Sequence, residues 1–426
     1  MQLFSRHVVF SYGFPMQTAS TLVLATALSW AAAPARAQTV HRPDFTDGGG
    51  PGESPAGRGA TDEVELSATE VQESEPLAWW QRVRFSGDFR SRYEGFYQEG
   101  QSTRHRSRLR LRLRLDSQIN EDTQLGIQVA SGDPGTPVST NQTFTSFFRP
   151  KPFSLDRAFV AYNPLAASAM TLGMGKFGLP QTRTQMIFDD DLNFEGGWEQ
   201  AAWSLSDTVG VNLIAIQTAV NEVSRGDDTY MIAAYGEINF ALGRSTLQIS
   251  AANYGWGNVD PIAIGSAVGP LSSILTNAVV RDVGGQVTGY ASRFNVVDVI
   301  GEATLRFGDS KYPVRLLAEY SRNTRAANDR DRGFWTEAEF GSAGAAGSFE
   351  ASYTYGWIEQ EVTPSAFVFS DMPGTNIRLH MINTSWMLLP GLSWDVTVHI
   401  SKRLVVADLQ PNNWLFRPHI SAVVRF

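Results

Sequence analysis

The stretch Thr103–Asp116, "TRHRSRLRLRLRLD", carries arginine at every second position. Arg104, Arg106, Arg108, Arg110, Arg112 and Arg114 share one parity, and His105, Ser107, Leu109, Leu111, Leu113 and Leu115 share the other. In an α-helix successive side chains turn by about 100°, which would scatter the guanidinium groups around the axis. In a strand they fall on one face and the leucines on the opposite face. A single strand of this kind could sit in a half-buried soluble sheet. A soluble core does not account for the pattern's repetition along the chain.

The chain ends on "LFRPHISAVVRF", in which Phe416, Pro418, Ile420, Ala422, Val424 and Phe426 alternate with Arg417, His419, Ser421, Val423 and Arg425. Between these two stretches and around them, alternation marks sixteen segments. They start near residues 83, 103, 122, 153, 169, 198, 208, 229, 245, 294, 312, 332, 347, 376, 391 and 415. Most run for about 9 to 14 residues, enough to cross an apolar layer at a tilt. Every second connection is short and rich in turn residues, such as "SQINED", "LSDT", "ALGRS" and "LPGL". The others are mostly longer, among them 131–152, 180–197, 257–293 and 358–375, with "QEGQS" as the short exception. Short turns at one end and long loops at the other are the signature of a transmembrane antiparallel β-barrel of the outer membrane. The expected fold is therefore all-β, with about 16 strands and both ends of the barrel on the periplasmic side. Tyr93, Tyr97, Tyr254, Trp256, Tyr353–Trp357, Trp386, Trp394, Trp414 and Phe416 lie near strand ends, where aromatic rings suit the membrane–water boundary.

The flanking sequence agrees. Arg6 and His7 precede an apolar run from Thr18 to Ala33, and "ARA", Ala35–Ala37, follows. Residues 1–37 read as a secretory signal peptide cleaved before Gln38. Residues 38–78 are rich in Gly, Pro, Ser and acid and read as a flexible periplasmic arm. Residues 79–426 are the barrel domain. No later segment approaches 18 consecutive apolar residues, the length that marks a spanning helix. The formal net charge of −8 comes mainly from the arm; from residue 81 onward there are 31 bases and 34 acids. Charge arrangement, not net charge, is what matters in the folded part. Cysteine is absent, which removes disulfides and thiolate chemistry. No nucleophile elbow, P-loop or dinucleotide fingerprint is present, the six histidines show no metal-ligand spacing, and neither a cofactor nor a nucleic-acid partner is expected.

Three stretches resemble the putative porins of Gram-negative bacteria, which are similar to the phosphate-selective porins. They are "GDFRSRYE" (residues 87–94), "LDRAFVAYNP" with "MTLGMGKFGLP", and "FDDDLNFEGG" (residues 188–197). The resemblance implies a diffusion channel, commonly a homotrimer. The terminal Phe426 resembles the signal read by the barrel-assembly machinery. The other expected partners are outer-membrane lipid and small, anionic solutes.

With leucines toward lipid, the arginines of the second strand face the lumen, since an arginine at the lipid midplane costs about 2–4 kcal/mol. Arg82, Arg84, Arg90 and Arg92 on the first strand and Arg417 and Arg425 on the last share that orientation. Closure would make these three strands neighbours and gather twelve arginines on one wall. Asp189, Asp190, Asp191 and Glu195 fall in the third outer connection. They are expected to form a constriction loop facing that wall across a wet eyelet, where opposed charges focus a field. Two other readings stay open. The arginines could serve only to bridge inward acids and stiffen the wall, and the acidic loop could be a solvated or Ca²⁺-binding surface loop.

Overall fold

A computed structural model describes residues 79–145, 147–308, 312–406 and 412–426. The signal peptide and the arm expected over residues 1–78 lie outside the described residues. Sixteen long strands form one closed sheet in which each pairs antiparallel with its sequence neighbours and the last pairs with the first. They are β1 Val83–Gln98, β2 Arg104–Gln118, β3 Thr123–Ser131, β4 Phe153–Tyr162, β5 Met170–Gly178, β6 Asn193–Ser206, β7 Val209–Asn221 and β8 Thr229–Leu242. The second half consists of β9 Ser245–Gly257, β10 Asn295–Leu305, β11 Val314–Asn323, β12 Arg332–Gly341, β13 Phe349–Ile358, β14 Ile377–Leu389, β15 Leu392–Arg403 and β16 Leu415–Arg425. A two-residue strand, Gln142–Thr143, adds to the outer half of β2.

Fifteen of the sixteen strands begin within two residues of the positions read from alternation. The exception is β6, which starts five residues early at Asn193. Its first turn, "NFEGG", carries two glycines and so shows no apolar alternation, yet it pairs in register with β5 from Gly178↔Asn193 onward.

Closure is made by β1 and β16. The backbone of Phe426 exchanges two hydrogen bonds with Gly87, N–H to O at 2.8 and 3.1 Å. A Cβ at Gly87 would lie 2.5 Å from the Arg112 carbonyl and 2.9 Å from the Phe426 ring, so only glycine lets the final residue seat there. Alternation sorts the faces as expected. Phe85, Phe89, Ile232, Leu316 and Trp394 are exposed on the outside, where lipid is the solvent, while Arg108, Arg112, Glu94 and Arg417 are buried on the inside.

A second apolar cluster lies inside the cylinder. The connection 179–192 between β5 and β6 turns into the lumen and buries Met186, Ile187 and Phe188 completely. It packs against inward aromatics of the wall. Phe188 meets Tyr254 edge-on with centroids 5.1 Å apart, and Trp198 lies 4.4 Å from Phe177. Trp198 fits because it lies over Gly173, where a Cβ would come within 2.0 Å of the indole. Tyr254 and Trp256 thus belong to this inner cluster, and their expected place in the interfacial girdle is corrected. They share parity with the inward Ser250 and Ala252, and inward packing took them first. The connection 359–376 between β13 and β14 completes the cluster, with Phe367 stacked on Trp256 at 5.4 Å. The long connection 258–294, which carries α1 Asp260–Ser266 and a hairpin of Val279–Arg281 with Val287–Tyr290, joins it through Asn277. The Asn277 amide donates to the carbonyls of Gln360 and Thr363 at 2.6 and 2.9 Å.

Candidate functional site: a charge-divided lumen

β16, β1 and β2 are consecutive in the wall, and their register stacks the inward charges level by level. Asp88 faces Arg112, Arg90 faces Arg110, Arg92 faces Arg108, and Glu94 faces Arg106. Alternation demands that these side chains share the lumen, and like charges directly opposite each other repel. The structure answers with interleaved acids. Arg110 and Arg112 both donate to Asp88, at 2.8 and 2.5 Å. Arg114 forks onto Asp116. Glu94, fully buried, is ringed by Arg106 at 2.6 Å, Arg417 at 3.1 Å, Arg108 at 3.5 Å and Arg92 at 3.7 Å. Arg90 donates to the Asn141 side chain at 2.7 Å and has no carboxylate partner at that distance. Arg84 and Arg425 are exposed at the periplasmic end. Arg104 is exposed at the outer end, with its guanidinium 5.4 Å from the Phe96 ring centroid. Arg82 lies in the 3-10 turn Trp79–Arg82 before β1, off the strand, so eleven of the twelve arginines are on the wall.

The four acidic residues read from the third outer connection separate. Asp191 reaches the arginine wall, 3.5 Å from Arg112, and accepts from the backbone N–H and hydroxyl of Thr140. Burial works to raise its carboxyl, but Arg110 and Arg112 outweigh this and hold it below the usual range. Asp190 is held within its own loop by Arg183 and Gln185. Asp189 faces the other way and accepts the Ser370 N–H; burial and the neighbouring Asp191 and Asp190 push its carboxyl well above the ordinary value. Glu195 is not on the loop. It lies on β6, outward, paired with Lys176 at 2.6 Å. The loop therefore touches the arginine wall directly through Asp191, with no wet gap at that contact.

Two groups of residues were not identified from sequence. The first is Asp371 in the connection 359–376. It binds Arg92 and Arg417, each at 2.7 Å, and ties that connection to the arginine wall. Burial raises its carboxyl, yet Arg417 and Arg92 prevail and hold it well below the ordinary value. The second is an acidic wall. Glu237 of β8, Asp298 and Glu302 of β10, Glu319 of β11, Glu337 and Glu339 of β12 and Glu350 of β13 are on the lumen-facing parity of their strands. Their one basic partner among the described ion pairs is Arg315, which bridges Glu302, Glu337 and Glu339. The inward loop spans from this wall to the other. Thr182 donates to Glu237 at 3.0 Å and Thr184 to Glu319, while Asp191 sits at the arginines.

His399 and His419 lie side by side in the lumen with centroids 4.6 Å apart and planes tilted by 53°, and ligand atoms of Glu94, Asp371 and His419 converge within 4.8 Å of one another. Both carboxylates of that triad are already engaged by arginines, so a cation there would enter a site with surplus positive charge.

A comparison of the sequence with curated proteins finds no match. Among solved structures, OmpF of Salmonella typhi in complex with daunomycin is similar, at 8% identity over 81% of this chain and 97% of that one, with a TM-score of 0.49. The anion-selective porin from Comamonas acidovorans is similar at 10% identity over 81% and 99%, TM-score 0.49. The trimer form of OmpT from Vibrio cholerae is similar at 9% identity over 81% and 99%, TM-score 0.46. These are distant likenesses, and the fold stands on the strand pairings above. A family model described as putative porin matches residues 96–266, which include the second and third resembling stretches but not "GDFRSRYE". The chain is an outer-membrane β-barrel, and its residues 96–266 match the family of putative porins.

Proposed function

We propose that this barrel is a passive diffusion channel for small hydrophilic solutes, with a bias toward anions. The observation that carries the reading is the division of the lumen. Eleven arginines on β16, β1 and β2 face inward against five nearby acids, Asp88, Glu94, Asp116, Asp191 and Asp371. The far wall holds the opposite surplus. Surplus positive charge beside low-dielectric walls raises the local concentration of anions. Five of the far wall's seven acids are engaged by Thr182, Thr184 and Arg315, which supports the arginine side as the one that solutes meet.

The test is a planar bilayer with a salt gradient. The reversal potential should show anion preference, and clear cation preference would sink the bias. Arg90 and Arg104 are wall arginines away from the periplasmic end that form no ion pair among the described residues. Their joint replacement by glutamine should lower the anion-to-cation permeability ratio by roughly twofold or more, a fraction of the several-kT potentials that a charged lumen sets up. An unchanged ratio would leave the wall as scaffolding. The inward connections, including 132–152 through Thr140 and Asn141, favour a second reading, a barrel whose lumen is largely occupied and which acts as a scaffold or adhesin; absence of any conductance would select it. A dedicated track for an acidic polymer has weaker support, because Asp88, Glu94 and Asp116 interrupt the arginine row at three of its levels.

A homotrimer is part of the proposal. Lys176, Glu195 and Glu199 face outward on β5 and β6, and lipid penalises outward charge, so a neighbouring subunit is the better cover for them.

A further inference from the structure

We propose that the outer end of β14 and β15 is a binding site for the phosphate headgroup of an outer-leaflet glycolipid. Arg378 and Lys402 are direct partners in the β14–β15 ladder, and both are on the outward parity of their strands, with Ile382 and Trp394. Directly opposed side chains have Cβ atoms about 4.5–5.5 Å apart, and a like-charge pair in that position is destabilising. Neither residue forms a salt bridge among the described residues. At the β11–β12 rim, by contrast, the cross-strand cations Arg322 and Arg332 share Asp331. The β14–β15 pair differs in having two adjacent cations, no paired acid among the described residues, and an outlook onto the membrane surface.

The surface one step toward the membrane centre is aromatic. His380 is the next outward residue below Arg378. Its Nδ1 is 2.7 Å from the Tyr353 hydroxyl, and its ring is 5.3 Å from Tyr355 and 5.6 Å from Trp414. Lys402 lies with its ammonium 6.0 Å from the Trp414 ring centroid. An aromatic shelf at headgroup depth with two cations above it matches an amphiphile that has phosphate at the top and acyl chains below. A free anion would use only the cations and would gain nothing from the shelf. The ligand class is therefore a phosphorylated glycolipid, not free phosphate. This inference needs the outer-membrane location alone and does not depend on the channel reading.

The test uses the full barrel extracted from outer membranes in mild detergent, with bound lipid counted by native mass spectrometry and folding checked by heat-modifiable gel mobility. The wild-type barrel should retain phosphorylated glycolipid, and Arg378→Gln with Lys402→Gln should retain at least fivefold less. Arg225→Gln, an exposed arginine of another outer connection, should retain the wild-type amount. If the double variant fails to fold, each single replacement carries the same comparison, with Arg378→Lys expected to restore binding. Equal retention by wild type and the glutamine variants would overturn the site. Purified lipid A and its dephosphorylated form, added to stripped barrel, provide the second arm. Binding of the phosphorylated form alone is expected, whereas equal binding of both, or displacement by an equimolar amount of inorganic phosphate, would overturn the assignment. Conductance is expected to be the same in all these variants, so the outcome is independent of the ion-selectivity experiment.

Discussion

Replacing Glu94 by alanine is expected to cost the barrel about 3–5 kcal/mol, the loss that follows when one partner of a buried charge network is removed. Glu94 is fully buried, and four arginines from three strands lie within 3.7 Å of its carboxylate. Without it, Arg92, Arg106, Arg108 and Arg417 keep their charges in a desolvated space with Asp371 as the nearest remaining acid. Most of the cost is therefore mutual repulsion, not a lost contact. Glu94→Gln should cost nearly as much, because the amide keeps the shape and discards the charge. The midpoint of urea unfolding in lipid vesicles, with a matched Glu222→Ala control in the exposed outer connection 222–228, provides the measurement. The control should be nearly silent, as an exposed surface charge contributes about 0–1 kcal/mol. A small shift for Glu94→Ala would mean that water or ions already screen the ring.

Asp371→Ala is expected to release the connection 359–376 from the arginine wall. Its single carboxylate takes both Arg92 and Arg417, and no other ion pair to that wall is made by this connection among the described residues. Release should appear as faster hydrogen exchange at residues 365–372 and as larger, noisier single-channel conductance. The same carboxylate fixes the pH response. Its folded value is depressed below the ordinary one, so its contribution is complete above the unfolded value of about 3.9 and is lost only as pH falls through the lower folded value. Wild-type conductance should accordingly stay steady from pH 7 down to about pH 5, while Asp371→Ala should already be noisy at pH 7. A wild-type channel that opens near pH 6 would show that something else holds this connection.

The strands were legible because lipid on one side and a polar lumen on the other impose a two-residue period that no soluble core imposes so widely. The parity of Arg104 to Arg114 named the inward face of β2, and the pairing of β1 with β16 followed from closure alone. What stayed hidden depended on distance in the chain. Asp371 is 46 residues from Arg417 and 279 from Arg92, and nothing local marks it as their partner. The acids of β8 and β10–β13 are on readable parities, but each strand carries only one or two. Their meaning as a wall appears only when the strands are set side by side opposite the arginines. Tyr254 and Trp256 misled for a related reason. An aromatic near a strand end suits the membrane boundary and an inner core equally well, and only parity separates the two.

The ring around Glu94 also bears on the order in which the molecule assembles. Arg417 reaches Glu94 across 323 residues of sequence, and it comes from β16, the strand farthest along the chain from β1. Until β16 zips onto β1, Glu94 lacks one of its four cations and Asp371 lacks one of its two. Contacts of such long range are formed late, after the entropy of closing the chain has been overcome. The charge network thus works as a closure sensor: an open sheet is an electrostatically unfinished one. Completion of the cylinder and docking of the inner connection then become one cooperative event, and a barrel that has not closed has no settled interior.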